Sequence, residues 1–183
     1  YLVDFSEPFN FTLGPLLYLA LRTRVGAEPF RKRQPLHLLP FALYAIYHIP
    51  HLMQSADFKQ IAWLVAWPAQ GSDAGGAVVT TAVDPLRLRR VVAELTILHA
   101  GAYILVSIRT LVGAFRMRGL SLWSRQDPEL AFWRRFILQF LGVILAVAIV
   151  KMTFSDDLGD FIIAIFATAI IYATSVSVVR RSA

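Results

Sequence analysis

The stretch Phe136-Ile137-Leu138-Gln139-Phe140-Leu141-Gly142-Val143-Ile144-Leu145-Ala146-Val147-Ala148-Ile149-Val150 decides the fold class. It carries no charge, and Gln139 is its one strongly polar side chain. With Lys151 to Phe154 it is long enough for a helix to cross a bilayer, which takes about 20 mostly apolar residues. It is too apolar all round to be one face of a helix on a soluble protein.

Four further stretches meet the same criterion: 2–21, 35–54, 91–115 and 161–179. The expected fold is therefore an all-α integral membrane bundle of about five transmembrane helices, forming one domain over 1–183. One long outer loop, 55–90, joins the second span to the third. Composition agrees. Of 183 residues 57% are hydrophobic and 16% charged, and the mean hydropathy is +0.58. Soluble domains average roughly 45–50% apolar and about 25% charged. The chain has no cysteine, which excludes disulfides, thiolate metal sites and cysteine nucleophiles.

Local signals mark the ends of spans. Asp127-Pro128-Glu129 reads as an N-cap, a proline at the first helical position and an acid in the first turn. Asp84-Pro85 reads the same way ahead of the third span. The polar turn 155–160 makes an antiparallel hairpin of the last two spans. Pro15, Pro40 and Pro50 should kink the first two helices and free carbonyls inside them.

The basic residues give an orientation. Arg22, Arg24, Arg31, Lys32, Arg33, Arg116, Arg118, Arg125, Arg134, Arg135, Arg180 and Arg181 fall on one side, which is expected to be cytoplasmic. Lys59, Arg87, Arg89, Arg90 and Lys151 fall on the other. The amino end is then outside and the carboxyl end inside. The cluster Arg87–Arg90 runs against this rule, because it lies close to the third span on the outer side. The net charge of +6 is accounted for by orientation and by contact with anionic headgroups. No one-sided basic stripe interleaved with aromatics is present, so no direct nucleic-acid binding by this segment is expected.

Few residues carry chemistry. Glu94, His99 and Arg109 are the ionisable residues of the third span. Such groups are costly in a membrane and by default face the bundle interior or a cavity, so they form the candidate intramembrane polar site. Glu94 and His99 stand about 140° apart around a helix, and Arg109 is near enough to the inner end to snorkel. His48 and His51 are three residues apart at the outer end of the second span. That spacing shares a face and suits a metal, but Pro50 lies between them and no carboxylate or cysteine stands at a ligand-like spacing. They are expected to be interfacial anchors, as are Trp63 and Trp67 of the outer loop, in a run too short to span. No metal site and no cofactor are expected. Nothing resembles a nucleophile with its base, a phosphate-binding glycine loop or a paired-carboxylate acid/base site, so the chain is not expected to be an enzyme.

The order Gly14-Pro15-Leu16-Leu17-Tyr18, then Phe30-Arg31-Lys32-Arg33, then Leu36-His37-Leu38-Leu39-Pro40-Phe41 and Gln54-Ser55-Ala56-Asp57-Phe58-Lys59 resembles the membrane-spanning amino-terminal region of bacterial AraC-type transcriptional regulators. Leu98-His99 through Tyr103 to Arg109, and Phe132-Trp133-Arg134-Arg135, are similar to later parts of that region. In that family a cytoplasmic helix-turn-helix domain follows the last span, and this sequence ends at Ala183 without one. The resemblance implies a multi-pass protein of the bacterial cytoplasmic membrane, serving as a signal-input or scaffolding domain. The alternative is an accessory structural subunit of a larger membrane complex. Expected partners are membrane lipids and other integral membrane proteins or further copies of the chain.

Overall fold

The computed structural model describes residues 4–25, 31–60 and 84–153, together with isolated helical positions between 165 and 176. These residues are helical or in turns, with no strand among them. A 3-10 turn, Glu7–Phe9, leads into α1, Asn10–Val25. A second 3-10 turn, Gln34–Leu38, leads into α2, Leu39–Leu52. A third, Leu88–Arg90, precedes α3, Val92–Met117, and α4 covers Pro128–Thr153.

α3 and α4 are long and apolar enough to cross a membrane. At 1.5 Å per residue each is about 39 Å long, against a hydrocarbon core of about 30 Å. α1 and α2 are shorter than the apolar stretches 2–21 and 35–54, at about 24 and 21 Å, and α1 starts later and runs on to Val25. Residues 4–9 of the first stretch form a polar turn instead of helix, because Pro8 sits in the 3-10 turn and Asp4 and Glu7 are drawn into ion pairs. The fifth stretch lies largely outside the described residues.

α3 is the centre of the arrangement. It packs against α1 along one side and α4 along the other, while α2 rests on α1 and on the N-terminal turn. Leu17, Leu21 and Val25 of α1 meet Ile104, Leu111 and Phe115 of α3, and Leu130, Trp133 and Ile137 of α4 complete this core. Small residues let α1 and α3 approach closely. A Cβ added at Gly14 would come within 3.0 Å of the Tyr103 Cβ and 3.3 Å of the Ala100 Cα. The outward faces are apolar: Leu43 and Ile46 of α2, Leu98 and Leu105 of α3, and Ile149 of α4 are all at least 60% exposed. His48, His51, Gln34 and Ser107 are buried. The core is apolar, but so is the outside, and this wide cover of large exposed apolar side chains departs from the pattern of a water-soluble domain.

The turn between α3 and α4 is fixed by its own chemistry. Gly119, at φ +63°, ends α3, with the Leu120 amide donating to the Phe115 carbonyl and the Gly119 amide to that of Arg116. Asp127 caps α4 as its sequence suggests: Oδ1 accepts from the amides of Glu129 and Leu130, both at 3.0 Å. Oδ2 pairs with Arg118. Arg134 donates to the carbonyls of Leu122 and Ser124 and lies over the Trp123 ring.

Two expected caps and kinks come out differently. Asp84 does not cap α3, which begins eight residues later. Its carboxylate accepts from the Tyr47 hydroxyl of α2 instead. Pro40 does not kink α2. It occupies the first turn, where the missing amide costs no hydrogen bond.

Candidate functional site

α2 has a two-faced sequence. Tyr44, His48 and His51 recur at spacings of four and three, so they share one face, and that face is buried. Leu43, Ile46 and Ile49 lie on the opposite, exposed face. His48 and His51, expected to be interfacial anchors, are each only 1% exposed and so are interior residues of the bundle. The apolar side of α2 takes the outside position and turns both imidazoles inward. Pro50 is compatible with this because it stands in the last turn of the helix.

Two segments distant in sequence meet the histidines. Asp4 adopts a left-handed conformation, φ 60°, at the head of the N-terminal turn, and Glu7 follows within it. Arg87 is also left-handed, φ 52°, and the turn it opens presents Arg89. Non-glycine residues rarely adopt such angles. Both here serve to aim a charged segment at α2.

The Arg89 guanidinium sits between the two sides. Nη2 donates to Asp4 Oδ2 at 2.5 Å, Nη1 donates to His51 Nδ1 at 2.9 Å, and Nε lies 4.0 Å from Glu7 Oε2. A guanidinium is always a donor, so Nδ1 of His51 must be its unprotonated nitrogen. The ring proton is then on Nε2, which faces Asp4 Oδ2 at 3.2 Å without completing a well-aligned hydrogen bond. His51 is thereby held as one neutral tautomer between a cation and an anion. His48 is less satisfied. Its Nδ1 lies 3.6 Å from Glu7 Oε2, and neither ring nitrogen completes a hydrogen bond, although the Asp4 backbone is near. The Tyr44 hydroxyl lies beside the Glu7 carboxylate, again without a hydrogen bond of normal geometry.

A file of rings continues from this cluster into the bundle. His48 stacks on Tyr44 at 5.7 Å, Tyr44 meets Phe11 at 5.5 Å, and Phe11 meets His99 at 5.5 Å. His99 meets Tyr103 at 5.0 Å, and the Tyr103 hydroxyl is 2.8 Å from His37 Nδ1. All four histidines of the chain stand in this file.

The candidate site in the third stretch is not gathered. Glu94 is exposed in the first turn of α3 and Arg109 is exposed farther along. His99 is half-buried against Phe11 and Tyr103, with both ring nitrogens unpartnered. Helical geometry explains the separation, since positions 94 and 99 point in different directions. Trp63 and Trp67 lie outside the described residues. Sequence reasoning missed Asp4, Glu7 and Arg89 as partners of the histidines. A usable signal was the outer-side Arg87–Arg90 cluster, whose breach of the orientation rule is offset by two acids at the same end.

The cluster offers two imidazoles, two carboxylates and a guanidinium. Among the described residues, no three ligating side chains are placed to hold a metal ion. The arrangement can bind or release protons and exchange ion-pair partners. Comparison with known protein families, curated proteins and solved structures gives no match.

Proposed function

We propose that the chain is a non-enzymatic signal-input domain of the bacterial cytoplasmic membrane, a five-span bundle akin to the membrane region of AraC-type regulators. One observation carries this reading. A compact set of opposite charges, Asp4, Glu7 and Arg89 with His48 and His51, ties three separate segments together at one end of α1, α2 and α3. A change of charge there alters how the N-terminal turn and the start of α3 are held. A two-state helix packing biased at one end transmits that bias to the other. The apolar outer surface and the lengths of α3 and α4 support a membrane setting. The amino end is outside and the carboxyl end cytoplasmic. That orientation places the charge cluster outside and the Arg118–Asp127 turn inside.

The test is Asp4→Asn in the native host. Asparagine tolerates the left-handed backbone at position 4 and removes only the charge. A signal-input domain gives an altered transcript profile with the protein retained in the membrane. An accessory subunit instead loses its co-purifying complex while transcription is unchanged, and that result would overturn the reading. The exposed apolar face of α2 fits such a subunit. Labelling of Lys32→Cys from the outside would overturn the orientation, and the assay is clean in a chain with no cysteine.

A further inference from the structure

The geometry points to a proton as the ligand of the outer cluster: protonation of His51 displaces the Arg89 guanidinium from α2 and leaves the imidazolium to pair with the carboxylates of the N-terminal turn. Arg89 is bound to His51 through Nδ1, the nitrogen that must stay unprotonated for the bond to exist. A proton added there turns the acceptor into a donor. Two N–H groups and two positive charges then face one another, and the contact cannot persist. The new cation keeps Asp4 at its Nε2 side, 3.2 Å away.

Charge balance favours the protonation itself, against the burial of the ring and the nearby Arg89 charge, which oppose it. With Asp4 and Glu7 ionised, the cluster holds two negative charges against the one positive charge of Arg89, so it is one cation short. His48 is a second buried base at the same place, its side chain 0% exposed and its ring nitrogens unpartnered. Its ring is 5.0 Å from that of His51, so the two titrate as a coupled pair and a proton on one disfavours a proton on the other.

Other polar and charged groups surround the pair. Tyr44 stacks on His48, and the Tyr47 hydroxyl is committed to Asp84. Lys59, at the end of the same segment, donates to the Leu52 carbonyl at 2.7 Å. On α3 the nearest base in the ring file is His99, beyond Tyr44 and Phe11, and Glu94 is exposed. Arg87 and Arg90 are exposed on either side of Arg89. Arg89 itself belongs to the turn that runs directly into α3, so its release acts on the helix at the centre of the bundle.

This inference rests on the cluster being the input site, and its test reads the cluster directly. The full chain is placed in lipid nanodiscs with ¹⁵N-labelled histidine and spin labels at Ser6→Cys and Leu86→Cys, both exposed positions. Acidification from pH 8 to 5 covers the range in which histidines titrate. We expect the Nε2–H tautomer of His51 at pH 8, protonation of Nδ1 on acidification, and a longer label-to-label distance with the same midpoint. His51→Gln abolishes the distance change. Should that variant fail to fold, the wild-type titration decides alone. A His51 that never protonates in this range, a distance that ignores its protonation, or a pH-dependent distance surviving in His51→Gln each overturns the proposal. So does a change produced by Zn²⁺ at pH 8 and not by acid. A cluster that titrates and moves while Asp4→Asn leaves transcription unaltered would keep the proton switch and remove its signalling role.

Discussion

The hydroxyl of Tyr103 on α3 lies 2.8 Å from Nδ1 of His37, which belongs to the turn ahead of α2, sixty-six residues away in sequence. Tyr18 of α1 packs against both rings, 5.5 Å from His37 and 6.0 Å from Tyr103. One polar contact thus joins two helical segments, and the Tyr18 ring packs a third against them. Tyr103→Phe keeps the ring and removes the hydroxyl. The expected loss is about 1 kcal/mol, the scale of hydrogen bonds between membrane helices. The ¹⁵N signal of His37 should shift while those of His48 and His51 stay in place. An unchanged His37 signal would show that the bond is not formed.

Gly14 gives the second prediction. The Tyr103 Cβ and the Ala100 backbone leave it only 3.0 to 3.3 Å for a Cβ, so alanine already requires the helices to yield by a few tenths of an ångström. Leucine overfills the crossing and should cost about 1–3 kcal/mol. Gly113 has open space around it, so Gly113→Leu is the control and should be near neutral. Thermal unfolding in detergent compares them. Equal melting temperatures would show that α1 and α3 are not in close contact.

What was legible in the sequence was local. The uncharged run from Phe136 produces a helix whatever lies beside it, and Asp127 caps that helix through amides two and three residues away. Asp84 was misread because a distant group, the Tyr47 hydroxyl, takes its carboxylate. The shared face of Tyr44, His48 and His51 was visible as a spacing, but its direction was not, since that depends on which side of α2 finds partners. Asp4 and Arg89 lie 85 residues apart, and no periodicity links them. Arg89 therefore looked like an orientation anomaly, when it is the counter-ion of two acids.

Asp127 makes α4 sensitive to acid. Its carboxyl is held below its ordinary value of 3.8, chiefly by the Leu130 amide and further by Arg118 and the Glu129 amide. A group whose pKa is depressed on folding contributes stability that is complete above the unfolded value and is lost as pH falls through the folded one. The cap is thus intact above pH 3.8 and weakens below it. Asp127→Ala should speed hydrogen exchange at Glu129 and Leu130 at neutral pH. Asp127→Asn keeps a capping oxygen and should keep exchange slow at both amides, while losing the acid sensitivity along with the Arg118 ion pair. Acid-sensitive exchange persisting in Asp127→Asn would point to another carboxyl.

The last prediction separates the two acidic regions at this end of the bundle. Arg89 is 23% exposed at its side chain and faces Asp4 and Glu7, themselves 35% and 21% exposed. Arg89→Gln leaves two carboxylates beside one another without a permanent cation. Breaking a buried pair in this way costs about 3–5 kcal/mol, so a partly exposed one should lie near the lower end, about 3 kcal/mol. Asp4→Asn removes one of the opposed charges, and in the double variant it should recover part of that loss, because groups in contact are not additive. Glu94 is exposed in the first turn of α3, and Glu94→Gln should change stability by no more than about 0.5 kcal/mol. Equilibrium unfolding of the wild type and the four variants in one detergent measures all of these. Strictly additive losses for Arg89→Gln and Asp4→Asn would show that the two charges are not paired. A loss at Glu94→Gln as large as that at Arg89→Gln would return the polar centre to the third span.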